Sequence, residues 1–348
     1  MPQLVEAGGK TGAEAFYGSD KHGLVWGYLF EPGTPARTID ADEAAAVLAT
    51  DAGEGRQIPF VWLHFSTANA ATERFLNESL PLPDSFHEAL RDTSRSTRVE
   101  RDGDSLLAVF HDVLFDLGGS ESGVSTVVLD VEPRMMVTAR PRPLKSLDRL
   151  RASVRSGETF RSPAELLAHL LRDQADVLLE LVRKSTARVD DVEDGLLENR
   201  LSFSRAELGS LRRMLVRLQR LLAPEPAALF RLLSRPPSWV GEDDLNDLRQ
   251  AAEEFSAVVA DSVALVERLK LLQEELAALV NEQNNKTLFL LTVVTVVALP
   301  FNVIGGLFGM NVGGIPFADH THGFAMVVAL VVSFTVLAGV LAIRNRRD

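Results

Sequence analysis

An α+β domain, then long stalk helices, then a C-terminal two-helix transmembrane hairpin is the architecture that this 348-residue sequence predicts. Three observations predict it. Short apolar strands alternate with amphipathic segments up to about residue 160. Helical periodicity with few breaks runs from Ser162 onward. Two uncharged apolar runs, Leu288 to Phe308 and Phe324 to Ile343, lie near the C-terminus. The corresponding domains are 1–160, 161–284 and 285–348.

The expected strands of the first domain are Leu24–Phe30, Phe60–Phe65, Leu106–Phe115, Thr126–Val131 and Met135–Arg140. Glu132-Pro133-Arg134 reads as a tight turn between the last two. Helical patterns fall at Asp42–Ala49, Ala70–Ser79 and Asp84–Leu90, the last with Pro83 at its start. The domain contains no Gly-rich phosphate loop, nucleophile elbow or metalloprotease helix, so the sequence offers no catalytic constellation and no enzyme is expected. His64, His87 and His111 are scattered, and separate core or surface roles are expected for them.

Ser162-Pro163-Ala164-Glu165 has the form of a helix cap. Apolar residues then recur at helical spacing through Leu196. A second helix is expected over Arg205–Leu222, stopped by Pro224 and Pro226, with a short helix over Ala227–Leu233. A last helix starts near Glu242-Asp243-Asp244, where acids suit the N-terminal dipole, and nothing clearly stops it before Pro300. Continuous to Phe308, it would be roughly 100 Å long and would join body to membrane directly. Its acids at Glu254, Asp261, Glu275 and Glu282 share a period of seven, broken by Arg268. That period fits a solvated stalk face, or a cation-attracting funnel if several copies form a ring, with Glu275 among its acids and Glu282 and Asn285 the best candidates because they lie next to the membrane stripe.

Each apolar run has the length of about 20 residues that a helix needs to cross a bilayer. The first carries a stripe at steps of three and four: Asn285, Leu288, Thr292, Thr295, Leu299, Asn302, Gly306 and Gly309. Asn302 is costly against lipid and should face protein or water. Two helices per chain cannot enclose a water-filled path, so the stripe implies several copies around an axis. Small residues that merely pack against a neighbouring helix are the alternative. Leu288 and Leu299, on the same face, could gate by dewetting. A kink is expected at Pro300.

Charge sets the remaining bounds. The chain carries a net charge of −12, which disfavours nucleic acid as a partner, and no cysteine, which removes disulfides, Cys-based zinc sites and thiol catalysis. Residues Met1 to Thr11 lack the pattern of a signal peptide. Lys286 precedes the first run; Arg344, Arg346 and Arg347 follow the second; the loop between has no Lys or Arg. The positive-inside rule places both termini in the cytoplasm of a multi-pass protein of a bacterial-type cytoplasmic membrane.

Gly309-Met310-Asn311 between the two runs resembles the signature of the CorA-type divalent-metal transporters. The continuation Val312-Gly313-Gly314-Ile315-Pro316 is similar to the ZntB zinc-transport branch, and the Met-Pro-Glu element typical of the magnesium branch is missing. The resemblance covers the whole chain but is sharp only at this motif. It implies a homopentameric funnel, the first membrane helix lining the pore, and Asn311 at the extracytoplasmic mouth. Asn311 amide oxygens could accept hydrogen bonds from a hydrated divalent ion without stripping it. Thr292, Thr295 and Asn302 would add further oxygens, and Asp319 would concentrate cations outside. His320 and His322 are candidate metal ligands, since imidazole suits zinc better than magnesium. The expected function is divalent-cation transport, zinc before magnesium, with proton coupling or passive flow both open and no cofactor beyond the transported ion. A magnesium channel also passing cobalt or nickel is the nearest variant. A membrane-anchored sensor or scaffold is the alternative of another class.

Overall fold

The computed structural model describes residues 18–50, 58–92, 96–114, 123–197, 205–310 and 321–344. They divide into two compact units, one up to Lys270 and one from Leu271.

The first unit is built on a seven-stranded sheet of order β2-β1-β3-β7-β6-β5-β4. Its strands are β1 (Leu24–Phe30), β2 (Arg37–Thr38), β3 (Phe60–Ser66), β4 (Arg98–Asp102), β5 (Ser105–Val113), β6 (Val124–Glu132) and β7 (Met135–Arg140). Only β3 and β7 pair in parallel; every other neighbouring pair is antiparallel. All residues of β3, β5 and β7 are buried, because helices cover both faces. One face carries Leu29, Val61, Leu63 and Phe65 against α1 (Ala41–Ala49), α2 (Ala71–Ser79) and α3 (Asp84–Arg91). The other carries Trp26, Tyr28, Phe60 and Trp62 against α4 (Lys145–Arg155), α5 (Pro163–Leu197), α7 (Pro224–Leu233) and the start of α8 (Glu242–Phe308). Helix α6 (Arg205–Leu222) precedes α7, and α9 (Gly323–Arg344) closes the described chain.

Most expected elements stand within a residue or two of their places. The start of α5 is capped as its sequence suggests, Ser162 Oγ accepting from Glu165 N–H at 3.0 Å. Three elements escape the sequence reading. β2 has two residues. β4, Arg-Val-Glu-Arg-Asp, is a charged edge strand whose pattern does not alternate in hydrophobicity. The third is α4, whose signal was the spacing of Leu147, Leu150 and Val154, all buried. The helix over Arg205–Leu222 ends before Pro224 as expected, and Pro224 itself opens α7, where a missing N–H costs nothing.

Two buried acids make this unit sensitive to pH. Burial raises Asp130, which accepts from Ser105 Oγ, to about 7. Burial also raises Asp112, held by Ser146 and the Val113 amide, to about 6. Each binds a proton in the fold that it releases when unfolded, so stability falls as pH climbs from the ordinary carboxylate range through these values. The unfolding temperature of the full chain in micelles is therefore expected to drop between about pH 5 and pH 8, and Asp130→Asn to remove part of that drop. An equal drop in the variant would contradict the assignment.

Candidate functional site: the polar face of the apolar helix

Helix α8 is 67 residues long and begins in the first unit. Arg161, just before α5, reaches Asp247 at 2.9 Å and Asp244 at 3.8 Å, and Arg172 reaches Asp247 at 3.3 Å. Farther along, Arg268 pairs with Asp190 at 2.6 Å and with Glu193, both on α5. This explains the interruption of the acidic period: position 268 ties α8 to α5. Glu254 and Asp261 are exposed, while Phe255, Val258, Ser262, Leu265 and Leu269 are buried. The acids of this part thus lie on the solvent face of a packed helix.

From Leu271 the helix belongs to the second unit. It remains helical to Phe308 without interruption, across Pro300 as well. Asn285, Leu288, Thr292, Thr295, Leu299, Asn302 and Gly306 therefore do share one helix face. All of them are exposed in the single chain, Leu288 and Leu299 to 59% and 60%. The other apolar residues of the run, such as Leu290 and Val303, are exposed too. An apolar surface of this extent needs lipid or further protein to cover it.

The polar residues of the stripe differ in what they demand. Thr292 Oγ1 donates to Leu288 O and Thr295 Oγ1 to Leu291 O, each at 2.8 Å. Their hydroxyl protons are thereby spent on the helix, which lets a threonine face lipid cheaply and leaves its oxygen lone pairs pointing away from the helix. Asn302 has no such internal solution: its side chain has no hydrogen-bond partner among the described residues, so it is the residue that asks for a polar surrounding.

At the membrane-proximal end, Glu282 and Lys286 form an ion pair at 2.7 Å. Lys286 holds the Glu282 carboxyl below its usual range, and the pair's net charge is zero. Glu275 is exposed and carries its charge without a described ion pair. Of the two acids on α8 expected to draw cations, Glu275 is the one without a described ion pair.

At the other end the helix closes on the motif. Gly309 N–H donates to Gly305 O at 3.0 Å, and a Cβ at Gly309 would sit 2.9 Å from that same oxygen. The glycine of the motif is thus required by close approach of backbone to backbone. Met310 follows, half exposed. Asn311, Asp319 and His320 lie outside the described residues. His322 is exposed, and among the described residues no group of three His, Asp or Glu side chains is placed to hold a metal.

Helix α9 is apolar over Gly323–Leu337, and its Ser333 and Thr335 hydroxyls donate to Ala329 O and Val331 O at 2.8 Å. The three scattered histidines do not converge. His64 stacks on Trp26 at 3.9 Å and accepts from Arg140 Nε at 2.7 Å. Burial, with Arg140 and Arg151 nearby, holds its imidazole well below the usual range. His87 packs beside Phe86 on α3, and His111 meets Glu225. Sequence reading missed Glu225 and Arg268 because their partners are about 114 and 75 residues away, a separation that carries no local signal.

An apolar segment with one polar face, continuous with a helix that is rooted in a folded α/β unit, is a pattern that fits a membrane transport protein. The sequence pattern of the family described as CorA-like Mg2+ transporter protein matches residues 59–345, and the chain belongs to that family. It is 27% identical to the divalent cation transporter CmaX of Pseudomonas aeruginosa over 322 residues, 91% of this chain and 95% of that one. It is likewise 27% identical over 274 residues to the zinc transport protein ZntB of Pectobacterium atrosepticum, 78% of this chain and 84% of that one. The solved structure of full-length CmaX superposes with a TM-score of 0.79 at 25% identity, covering 93% of this chain and 99% of that one. The CorA magnesium transporter of Methanocaldococcus jannaschii shares the fold, with a TM-score of 0.71 at 20% identity.

Proposed function

We propose that this chain transports divalent metal cations across a membrane, zinc first among them, through a pore lined by the 288–308 segment of α8 in a homo-oligomer. One observation carries the reading: the stripe from Asn285 to Gly306 stays on one face of an uninterrupted helix that ends at the Gly309-Met310 motif. The names of the relatives, zinc transport protein and divalent cation transporter, support the cargo. Asn302 and the outward lone pairs of Thr292 and Thr295 offer neutral oxygens that hold a hydrated ion weakly enough to release it. Leu288 and Leu299 are the hydrophobic constrictions of the same path, and Asn311 stands at its outer mouth. Five copies, the two-helix hairpin, cytoplasmic termini and cation attraction by Asp319, Glu275 and Glu282 belong to this reading through the family resemblance and the charge pattern. His320 and His322 are its candidate outer ligands.

The test is metal uptake into proteoliposomes holding a metal-sensitive dye, zinc against magnesium, with and without a pH gradient. Zinc uptake above that of empty vesicles is expected, falling at least about tenfold in Asn311→Ala, a loss equivalent to roughly 1.4 kcal/mol. Magnesium uptake indifferent to the gradient would instead favour the magnesium channel. No uptake of either ion by folded, inserted protein would leave the membrane-anchored sensor or scaffold.

A further inference from the structure

Strand β4 ends at the Arg98–Val109 pair, so His111, two residues farther along β5, has β6 on one side and no strand on the other. A buried N–H and C=O must still be paired. Side chains from two helices take the missing strand's place. Glu225 Oε1, from the first turn of α7, accepts from His111 N–H at 2.7 Å, and Gln174 Nε2, from α5, donates to His111 O at 2.6 Å. Gln174 Nε2 also lies 2.8 Å from Glu225 Oε2, which locks the two substitutes together. The imidazole joins them, with His111 Nδ1 3.3 Å from both Glu225 Oε1 and Thr97 Oγ1. The Thr97 hydroxyl donates to Leu221 O, the penultimate residue of α6, and so offers Nδ1 a lone pair. An Nδ1–H tautomer would satisfy both acceptors.

The knot is closed to water: Glu225 is 0% exposed, and His111 and Gln174 are 4% exposed. Among the described residues Glu225 has no ion-pair partner except His111. The charged groups of the surrounding elements are paired elsewhere or exposed. Asp112 of β5 is bound to Ser146, Asp173 of α5 to His169, and Arg98 of β4 to Glu100, while Arg220 in the last turn of α6 is exposed. A carboxylate in such a place is expensive to ionise, and only part of that cost is offset by the positive end of the α7 dipole.

We propose that Glu225 and His111 form a proton-operated latch that docks α6 and α7 onto the open edge of β5. With one added proton the pair is neutral and the dock is tight. Without it, a buried negative charge favours release of α7. The connector from Ser234 to Gly241 joins α7 to the base of α8, and Trp239 in it donates to Asp104 O at 2.6 Å, so a shift of α7 would be felt where α8 begins. Burial raises Glu225 to about 7, so the latch is stable at lower pH and its contribution is lost as pH rises from the ordinary glutamate range through that value.

The full chain in micelles provides the test. Its thermal unfolding midpoint is measured at about pH 6 and pH 8, where a group of neutral pKa is mostly protonated and mostly ionised. Glu225→Gln, permanently neutral, is expected to show a drop between them that is smaller than the wild type's by about 2–4 °C. An unchanged drop overturns the latch. Gln174→Leu removes a donor that favours the ionised carboxylate and is expected to move the transition to higher pH; a transition that stays in place or moves down speaks against it. If Glu225→Gln does not fold, infrared spectra of wild-type protein carrying 13C-labelled glutamate decide. A protonated-carboxyl band that fades between the same pH values is expected, and its absence at the lower pH refutes the proposal.

Discussion

Replacing Trp62 by alanine is expected to cost the first unit about 3–5 kcal/mol, the usual range for deleting a fully buried large aromatic. Trp62 is 0% exposed at the middle of β3 and is one of the largest fully buried side chains in the molecule. It meets Trp26 edge-on at 5.6 Å and stacks on Tyr28 at 5.9 Å. Its indole Nε1 donates to Thr138 Oγ1 at 3.0 Å, across the only parallel strand pair among the described strands. Alanine would leave a cavity between the sheet and α4–α5. It would also strip Thr138 of one partner, although His64 Nδ1 remains at 2.7 Å. Urea unfolding of the full chain in micelles, followed by circular dichroism, measures the loss. A cost below about 1 kcal/mol, the level of an average substitution, would mean that the site collapses to fill itself. Transport should suffer only as far as folded protein is lost.

Substituting Gly309 by valine is expected to abolish transport while leaving the soluble unit folded. The added Cβ would meet Gly305 O at 2.9 Å, a backbone atom that cannot swing aside. The helix end must then open or turn, and the peptide that carries Asn311 leaves α8 in another direction. A fall in zinc uptake of at least tenfold, about 1.4 kcal/mol, is the expected reading in proteoliposomes. Gly305→Ala is the control, because a Cβ there meets nothing within 4 Å apart from the backbone of its own helix in the single chain. If the control is as damaging as Gly309→Val, packing between neighbouring copies rather than closure of the helix end governs the region.

Local pattern carried a great deal of this molecule. The run 288–308, the strands Leu24–Phe30 and Met135–Arg140, and the helix over residues 205–222 each announce themselves within their own residues, by length, alternation or 3.6-residue recurrence. Elements whose sense comes from a distant partner did not. β4 reads as a charged loop until β5 lies beside it. Arg268 reads as a break in an acidic period until Asp190 and Glu193 arrive from α5. Within the candidate site, the shared face was legible because a helix repeats itself along the chain. The neutralisation of Glu282 by Lys286 was open to inspection as well, as an i,i+4 pair, but needed the helix to be continuous there.

The sequence by itself determined that a long helix ends in an apolar segment with one polar face, because hydrophobic length and helical period are properties of consecutive residues. It also determined the motif at that segment's end. Only the tertiary structure decided that the motif's glycine is held by a backbone contact, that the stripe's threonines spend their protons on their own helix, and that a glutamate and a histidine from distant parts of the chain meet in one buried hydrogen-bonded cluster. The physical reason is the same in each case: a hydrogen bond or a close contact depends on where two groups end up in space, and the residue type gives only the capacity for it.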